Sequence, residues 1–193
     1  MDVILASSSQ YRRELLSRLV TDFRVVSPDV DETPRAGETP ARLAARLASA
    51  KALAVAALNP GAIVIGSDQV AERSGRPVGK PGTIEKARAQ LAVSSGRTVV
   101  FNTAVCVADA RKDPPRTHSA LDTTRAVFRP LSEDEIARYV ALDNPIDCAG
   151  AFKSEARGIA LFERIETTDP TALIGLPLIA LARLLRAAGL VIP

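Results

Sequence analysis

The sequence has no tryptophan, one histidine, one methionine and two cysteines, and aromatic residues make up only 4% of it. Each scarcity removes a class of chemistry. The single histidine, His118, follows a Pro- and Arg-rich loop, so a Ser-His-Asp triad, a Cys-His pair and a His-rich zinc site are not expected. Cys106 and Cys148 stand among apolar or small residues without metal-ligand spacing, and both read as reduced structural thiols. Catalysis, if present, falls to carboxylates, lysines and a bound metal. With so few rings the core is expected to be aliphatic.

Other absences narrow the partners. The opening Val3-Ile4-Leu5-Ala6 is too short for a signal segment, and the apolar stretch near Leu173–Leu185 is interrupted by Pro177 and Arg183. No membrane is expected, and the cytoplasm is the expected location. Net charge is only +3, and no Lys/Arg cluster alternates with aromatics, so nucleic acid is not an expected partner. There is no G-x-G-x-x-G, and Gly75–Lys80 is no Walker A loop because Pro81 stands where Ser or Thr would bind magnesium.

What is present is a foldable chain, 193 residues long with 47% hydrophobic content, read as a single domain over 1–193. Asp2–Ala6 predicts a short buried strand, followed by Ser7-Ser8-Ser9 and a helix to about Leu19; Phe23–Ser27 predicts a second strand. Thr39 with Pro40 opens a helix to about Leu58. Ala62–Gly66 reads as a strand ending at Ser67-Asp68-Gln69, and Val70–Val78 as a hairpin around Ser74-Gly75. Thr83 caps a helix to about Gly96. Two long antiparallel strands, Thr98–Asp109 and His118–Phe128, flank a Pro-rich loop. Ser132 and Glu135 form a capping box, Gly158–Glu163 reads as a strand, and a last helix spans about Leu176–Ala188. The pattern predicts an α/β fold with a mixed, elongated sheet flanked by helices.

Four features carry chemistry. Ser7, Ser8 and Ser9 offer hydroxyls at a helix start, where unpaired backbone N–H groups favour an anion. Arg12 and Arg13 follow in the first turn, where cations are disfavoured unless an anion docks nearby; a plain Ser cap with two solvated arginines is the alternative. Asp68 follows an apolar strand, where ligands of α/β sheets gather; it can hold a metal or accept a proton, or simply cap a turn. The acidic run Asp29-Val30-Asp31-Glu32 offers Glu32 as a magnesium ligand, or is a solvated loop. Lys51 interrupts an apolar helical stripe of Leu43, Leu47, Ala50, Ala54 and Leu58, so its ammonium either snorkels to solvent or reaches an anion. Lys80 lies in the turn Gly79-Lys80-Pro81. Gly150–Glu155 adds Lys153 and Glu155 in a loop.

Taken in order, Leu5-Ala6-Ser7-x-Ser9-x-x-Arg12-Arg13, Asp31-Glu32-x-Pro34, Lys51, Gly66-x-Asp68, Gly79-Lys80-Pro81 and Gly175-Leu176-Pro177 resemble the Maf family along nearly the whole chain. Tyr11, Gln69 and Lys153 resemble its 7-methyl-GTP pyrophosphatase branch; Gln10 departs from the proline usual there. The resemblance implies a Maf/inosine-triphosphate-pyrophosphatase-like fold with two lobes around a cleft, a homodimer, a nucleoside triphosphate substrate and a divalent cation, magnesium or manganese. It implies Asp68 as general base, Glu32 with Asp68 as metal ligands, and Ser7, Arg12, Lys51, Lys80 and Glu155 as substrate-binding residues. Tyr11, Gln69 and Lys153 would select the base. A dTTP/UTP pyrophosphatase of the same family and a non-catalytic nucleotide-binding regulator of septum formation stay open. All these readings require Ser7, Arg12, Lys51, Asp68 and Lys80 to share one pocket.

Overall fold

Period-two alternation of apolar side chains builds the centre of the protein. In the computed structural model, which describes residues 1–192, β1 (Val3–Ala6), β3 (Ile63–Arg73) and β5 (Thr98–Asp109) lie side by side. Val3, Leu5, Ile63, Ile65, Val105 and Val107 face one side, while Ile4, Ala6, Val64, Ala104, Cys106 and Ala108 face the other. Both faces are covered. Helix α1 (Gln10–Leu16) and the C-terminal helix α5 (Leu178–Ala187) pack on the first, and α2 (Pro40–Ala57) packs on the second.

The second face is lined by small residues, so α2 lies close to the sheet. At Gly66 the approach is closest: a Cβ there would meet the Ala48 carbonyl and stand 2.6 Å from the Ala52 nitrogen. Only glycine fits. The buried residues of α2 are Pro40, Leu43, Ala44, Leu47, Ala48, Lys51, Ala52, Val55 and Ala56. The stripe thus runs through Ala48, Ala52 and Val55, and Leu58, expected within it, is 82% exposed.

The sheet has seven strands in the order β2-β1-β3-β5-β6-β7, with β4 (Arg76–Val78) paired to the far end of β3. β2 (Arg24–Val26) and β3 run parallel to β1, and β5, β6 (Arg116–Phe128) and β7 (Phe162–Glu166) continue antiparallel. This is the mixed, helix-flanked sheet expected. Two expectations need correction. β3 does not stop at Gly66 but runs on to Arg73 before turning at Ser74 and Gly75, both at positive φ. Asp68 is therefore mid-strand; it lies just beyond the end of β1, whose pairing with β3 finishes at Ala6–Gly66. The Gly158–Glu163 strand is instead a 3₁₀ turn, Arg157–Leu161, leading into β7.

Beyond Asp68 a second hydrophobic cluster takes over. Helices α3 (Ile84–Ser94) and α4 (Glu133–Asp143), the latter with its capping box, pack around Phe101, Phe128, Phe152 and Leu161. Here the expectation of a purely aliphatic core fails. Phe101, Phe128, Phe152 and Phe162 meet edge-to-face with centroids 4.7–5.7 Å apart. The few rings of the chain are concentrated in this lobe.

Candidate active site

A cleft of about 710 Å³ opens where the two clusters meet, within the range of small-molecule sites. Ser7, Tyr11, Arg12, Glu32, Lys51, Asp68, Gln69, Lys80 and Glu155 all line it. The shared pocket required by the sequence reading exists.

At one end the chain leaves β1 into the serine run. The Ser9 hydroxyl caps α1 by accepting from the Arg12 backbone N–H, and the Ser7 hydroxyl accepts from the Ser9 N–H at 3.1 Å and from Arg12 Nη1 at 3.4 Å. Helix α1 has only seven residues, so anion binding in this corner rests on side chains rather than on a macrodipole. Arg12 Nε donates to the Gly175 carbonyl at 2.8 Å, which fixes the guanidinium against the loop before α5. Burial pulls that guanidinium below its ordinary range, while Asp68 and Glu32 oppose the shift. Arg13, expected to share the anion, is exposed and lies outside the cleft.

Lys51 is the hub of this end. Its Nζ lies 2.6 Å from Asp68 Oδ1 and 2.7 Å from Glu32 Oε1. Lys51 and Asp68 are both buried, at 7% and 8% exposure. Burial raises the Asp68 carboxyl above the ordinary aspartate range; Lys51 and Arg12 pull it down, and Glu32 pushes it up. Glu32 is presented by a loop that α2 holds in place. Arg46 forks onto Glu38 at 2.7 and 2.9 Å and donates to the Thr33 carbonyl at 3.0 Å. That clamp holds the Glu38 carboxyl at about 2. Sequence reasoning missed it, because nothing local pairs positions eight residues apart across a helix start.

Two carboxylates converging on one point suit a hard cation that completes its shell with phosphate and water oxygens. Among the described residues no cluster of three or more His, Cys, Asp or Glu could cage a metal alone. Asp68 and Glu32 alone are a partial donor set, which a cation would have to complete with ligand and water oxygens.

The remaining predicted residues divide by role. Gln69 Nε2 donates to Thr103 Oγ1 at 3.0 Å and to the Ala172 and Leu173 carbonyls at 2.9 and 3.1 Å. Its amide nitrogen is thus committed to holding the 3₁₀ turn Ala172–Ile174, leaving the carbonyl oxygen for a ligand. Lys80 is exposed at the rim. Its turn is tied down by Gln90 on the Gly79 carbonyl and by Gly82 N–H on the Ile146 carbonyl.

The far end is looser. The Tyr11 hydroxyl donates to Asp147 Oδ2 at 3.4 Å, and Cys148 Sγ lies 3.8 Å from that hydroxyl. Lys153 Nζ is 3.8 Å from Asp147 Oδ1; Lys153 meets the cleft through Asp147 rather than lining it. Glu155 is exposed at the mouth. Cys148 is a free thiol, as expected, and it also lines the cleft. Burial, with Asp147 adding to it, pushes its thiol up to about 12, so at neutral pH it is no nucleophile. Burial likewise holds the Tyr11 phenol above its ordinary range. The loop reaches this position because Gly150 passes Phe101: a Cβ there would stand 3.0 Å from the Phe101 ring.

Comparison with known proteins decides the family. The Maf-like protein signature matches residues 2–188. The chain belongs to the Maf family. Among curated relatives of this Maf chain, the 7-methyl-GTP pyrophosphatase of Xanthomonas oryzae pv. oryzae is 56% identical over 99% of this chain and 98% of its own. The proteins of the same name from Cupriavidus metallidurans and Bordetella pertussis are each 55% identical, over 97% of this chain and 93% and 92% of theirs. Among solved structures, the Staphylococcus aureus Ham1 protein matches 82% of this chain and 90% of that one at 21% identity, with a TM-score of 0.47. That likeness is too low to bear on the Maf site. Among the described residues no helix is long and apolar enough to cross a membrane.

Proposed function

We propose that this Maf protein hydrolyses 7-methyl-GTP to 7-methyl-GMP and pyrophosphate, acting as a single-domain cytoplasmic homodimer that removes a modified nucleotide before incorporation. The observation that carries the reading is the Asp68–Lys51–Glu32 bridge inside a nucleotide-sized cleft. The names of the relatives support the base preference.

In this reading the triphosphate lies along Ser7, Arg12, Lys51 and Lys80, with Glu155 at the mouth. Arg12 and Lys51 neutralise charge on the phosphoryl oxygens as the α–β anhydride bond breaks. Asp68 takes a proton from the water that attacks the α-phosphorus; its burial-raised carboxyl is a stronger base than a solvated aspartate. Glu32 and Asp68 would hold a magnesium or manganese ion, which would supply Lewis-acid stabilisation of the charge developing on the phosphoryl oxygens. Tyr11 stacks on the cationic base, while Gln69 and Lys153 shape its pocket.

The test is pyrophosphate release from 7-methyl-GTP, GTP, dTTP and UTP by the wild type and by Asp68→Ala. The wild type should favour 7-methyl-GTP, and Asp68→Ala should lower turnover of every nucleotide by about 10²–10⁴-fold, the usual share of a positioned base. Preference for dTTP would remove the substrate assignment. Full activity of Asp68→Ala would remove the proposed base.

A further inference from the structure

We propose that Asp147 reads the base, its carboxylate accepting the N1–H and exocyclic N2–H of a guanine ring. The inference rests on the functional reading above and adds a specificity-determining residue that no sequence motif singled out.

Three observations support it. Asp147 lines the cleft at the end away from Lys51 and lies between Tyr11 and Lys153. Its side chain is 56% exposed; Tyr11 and Lys153 contact it at 3.4 and 3.8 Å, longer than tight hydrogen bonds, and the neighbouring Cys148 thiol donates to Oδ1 at 3.4 Å. The exposed part of the carboxylate faces the cleft and is open to a ligand. The turn that carries it is also anchored on both sides: the Ile146 carbonyl accepts from Gly82 N–H, and the Lys153 N–H donates to Tyr139 Oη at 2.9 Å.

The alternatives in the same corner are weaker readers. Gln69 has its amide nitrogen engaged by the protein, so it offers no donor. Lys153 is a cation and by itself repels a positively charged ring. Tyr11 offers a face that accepts any base. A carboxylate discriminates, because guanine presents two adjacent donors, N1–H and N2–H, beside the O6 acceptor. The ammonium of Lys153 next to Asp147 complements that O6. Uracil and thymine present one N–H between two carbonyls and would set an oxygen against the carboxylate. Methylation at N7 places a positive charge on the ring and makes N1–H and N2–H stronger donors, so a carboxylate gains more from the methylated base than from guanine itself.

The experiment compares kcat and KM for 7-methyl-GTP, GTP, UTP and dTTP in the wild type, Asp147→Asn and Asp147→Glu. Asp147→Asn should lower kcat/KM for 7-methyl-GTP by about 10- to 100-fold, the range of a lost charge-assisted bond. The loss should fall mainly on KM, be smaller for GTP and be absent for the two pyrimidines. Asp147→Glu should keep the wild-type order of preference. An equal loss on all four nucleotides would make Asp147 a structural residue of the turn and overturn the inference. An unchanged preference in Asp147→Asn overturns it too, while leaving the functional reading intact. A wild type that favours dTTP or UTP overturns both.

Discussion

The two ends of the cleft are built to different tolerances. At the Lys51 end, Lys51 and Asp68 are buried, and the ammonium meets Asp68 at 2.6 Å and the exposed Glu32 at 2.7 Å. They project from strand β3 and helix α2, and from a loop clamped by Arg46. At the Tyr11–Asp147 end the contacts are 3.4–3.8 Å and the carboxylate is half exposed. Tyr11 comes from helix α1, while Asp147, Cys148 and Lys153 hang on a loop that passes over the cluster of four phenylalanines. The first end has fixed charges where charge changes during reaction, which is where preorganisation counts. The second leaves room for the ligand to complete its contacts, so specificity can be altered there without disturbing the chemistry.

That contrast can be broken most strongly from beneath. Phe152→Ala removes a ring packed against three others and should cost about 3–5 kcal/mol of stability, read as a lowered urea midpoint. Discrimination between 7-methyl-GTP and UTP should fall more than turnover does. A loss below about 1 kcal/mol would mean that the cluster does not carry the base-end loop. Next in size, Lys51→Met should lower kcat/KM by about 10²–10³-fold, and equally for every base. Lys51 also holds the Asp68 carboxyl down, so without it that carboxyl rises further. Asp68 acts when ionised, and the acid limb of the pH–rate profile should therefore move to higher pH. A base-dependent loss would show that the two ends are not separate.

A smaller effect is expected at the loose end. Tyr11→Leu removes a cation–π contact of about 0.5–2 kcal/mol, which should lower kcat/KM for 7-methyl-GTP several-fold while GTP changes less. Equal losses for the two would exclude the stacking role. Smallest at saturating metal, Glu32→Gln removes a proposed metal ligand, so the magnesium concentration for half-maximal rate should rise while the order of base preference stays the same. An unchanged magnesium requirement would remove Glu32 from the metal site.

Much of this was legible in the sequence, and unevenly so. Strands β1, β5 and β6 and helices α2, α3 and α4 carry strong periodicity and caps, so their existence and approximate limits could be read directly. Ser7, Arg12, Lys51 and Asp68 stand out as chemistry-bearing positions, but each has a plain structural alternative, and their gathering in one site follows from the family resemblance. What could not be read depends on distant neighbours. The run of β3 past Gly66 is sustained by pairing with β5 out to Glu72–Val100, which no local pattern shows. The concentration of phenylalanines, the Arg46–Glu38 clamp and the place of Cys148 in the cleft are likewise products of assembly. Asp147 escaped notice because a lone aspartate in a turn has no periodicity to mark it.

The ammonium lodged between Asp68 and Glu32 also bears on how the protein endures without its ligands. It is a resident counter-ion, so the acidic pair is already neutralised in part before any magnesium arrives. Without the proposed metal the fold should therefore persist, unlike small domains that collapse only around an ion. Chelation should silence the protein yet leave its melting temperature in place, and restored magnesium should revive it without refolding.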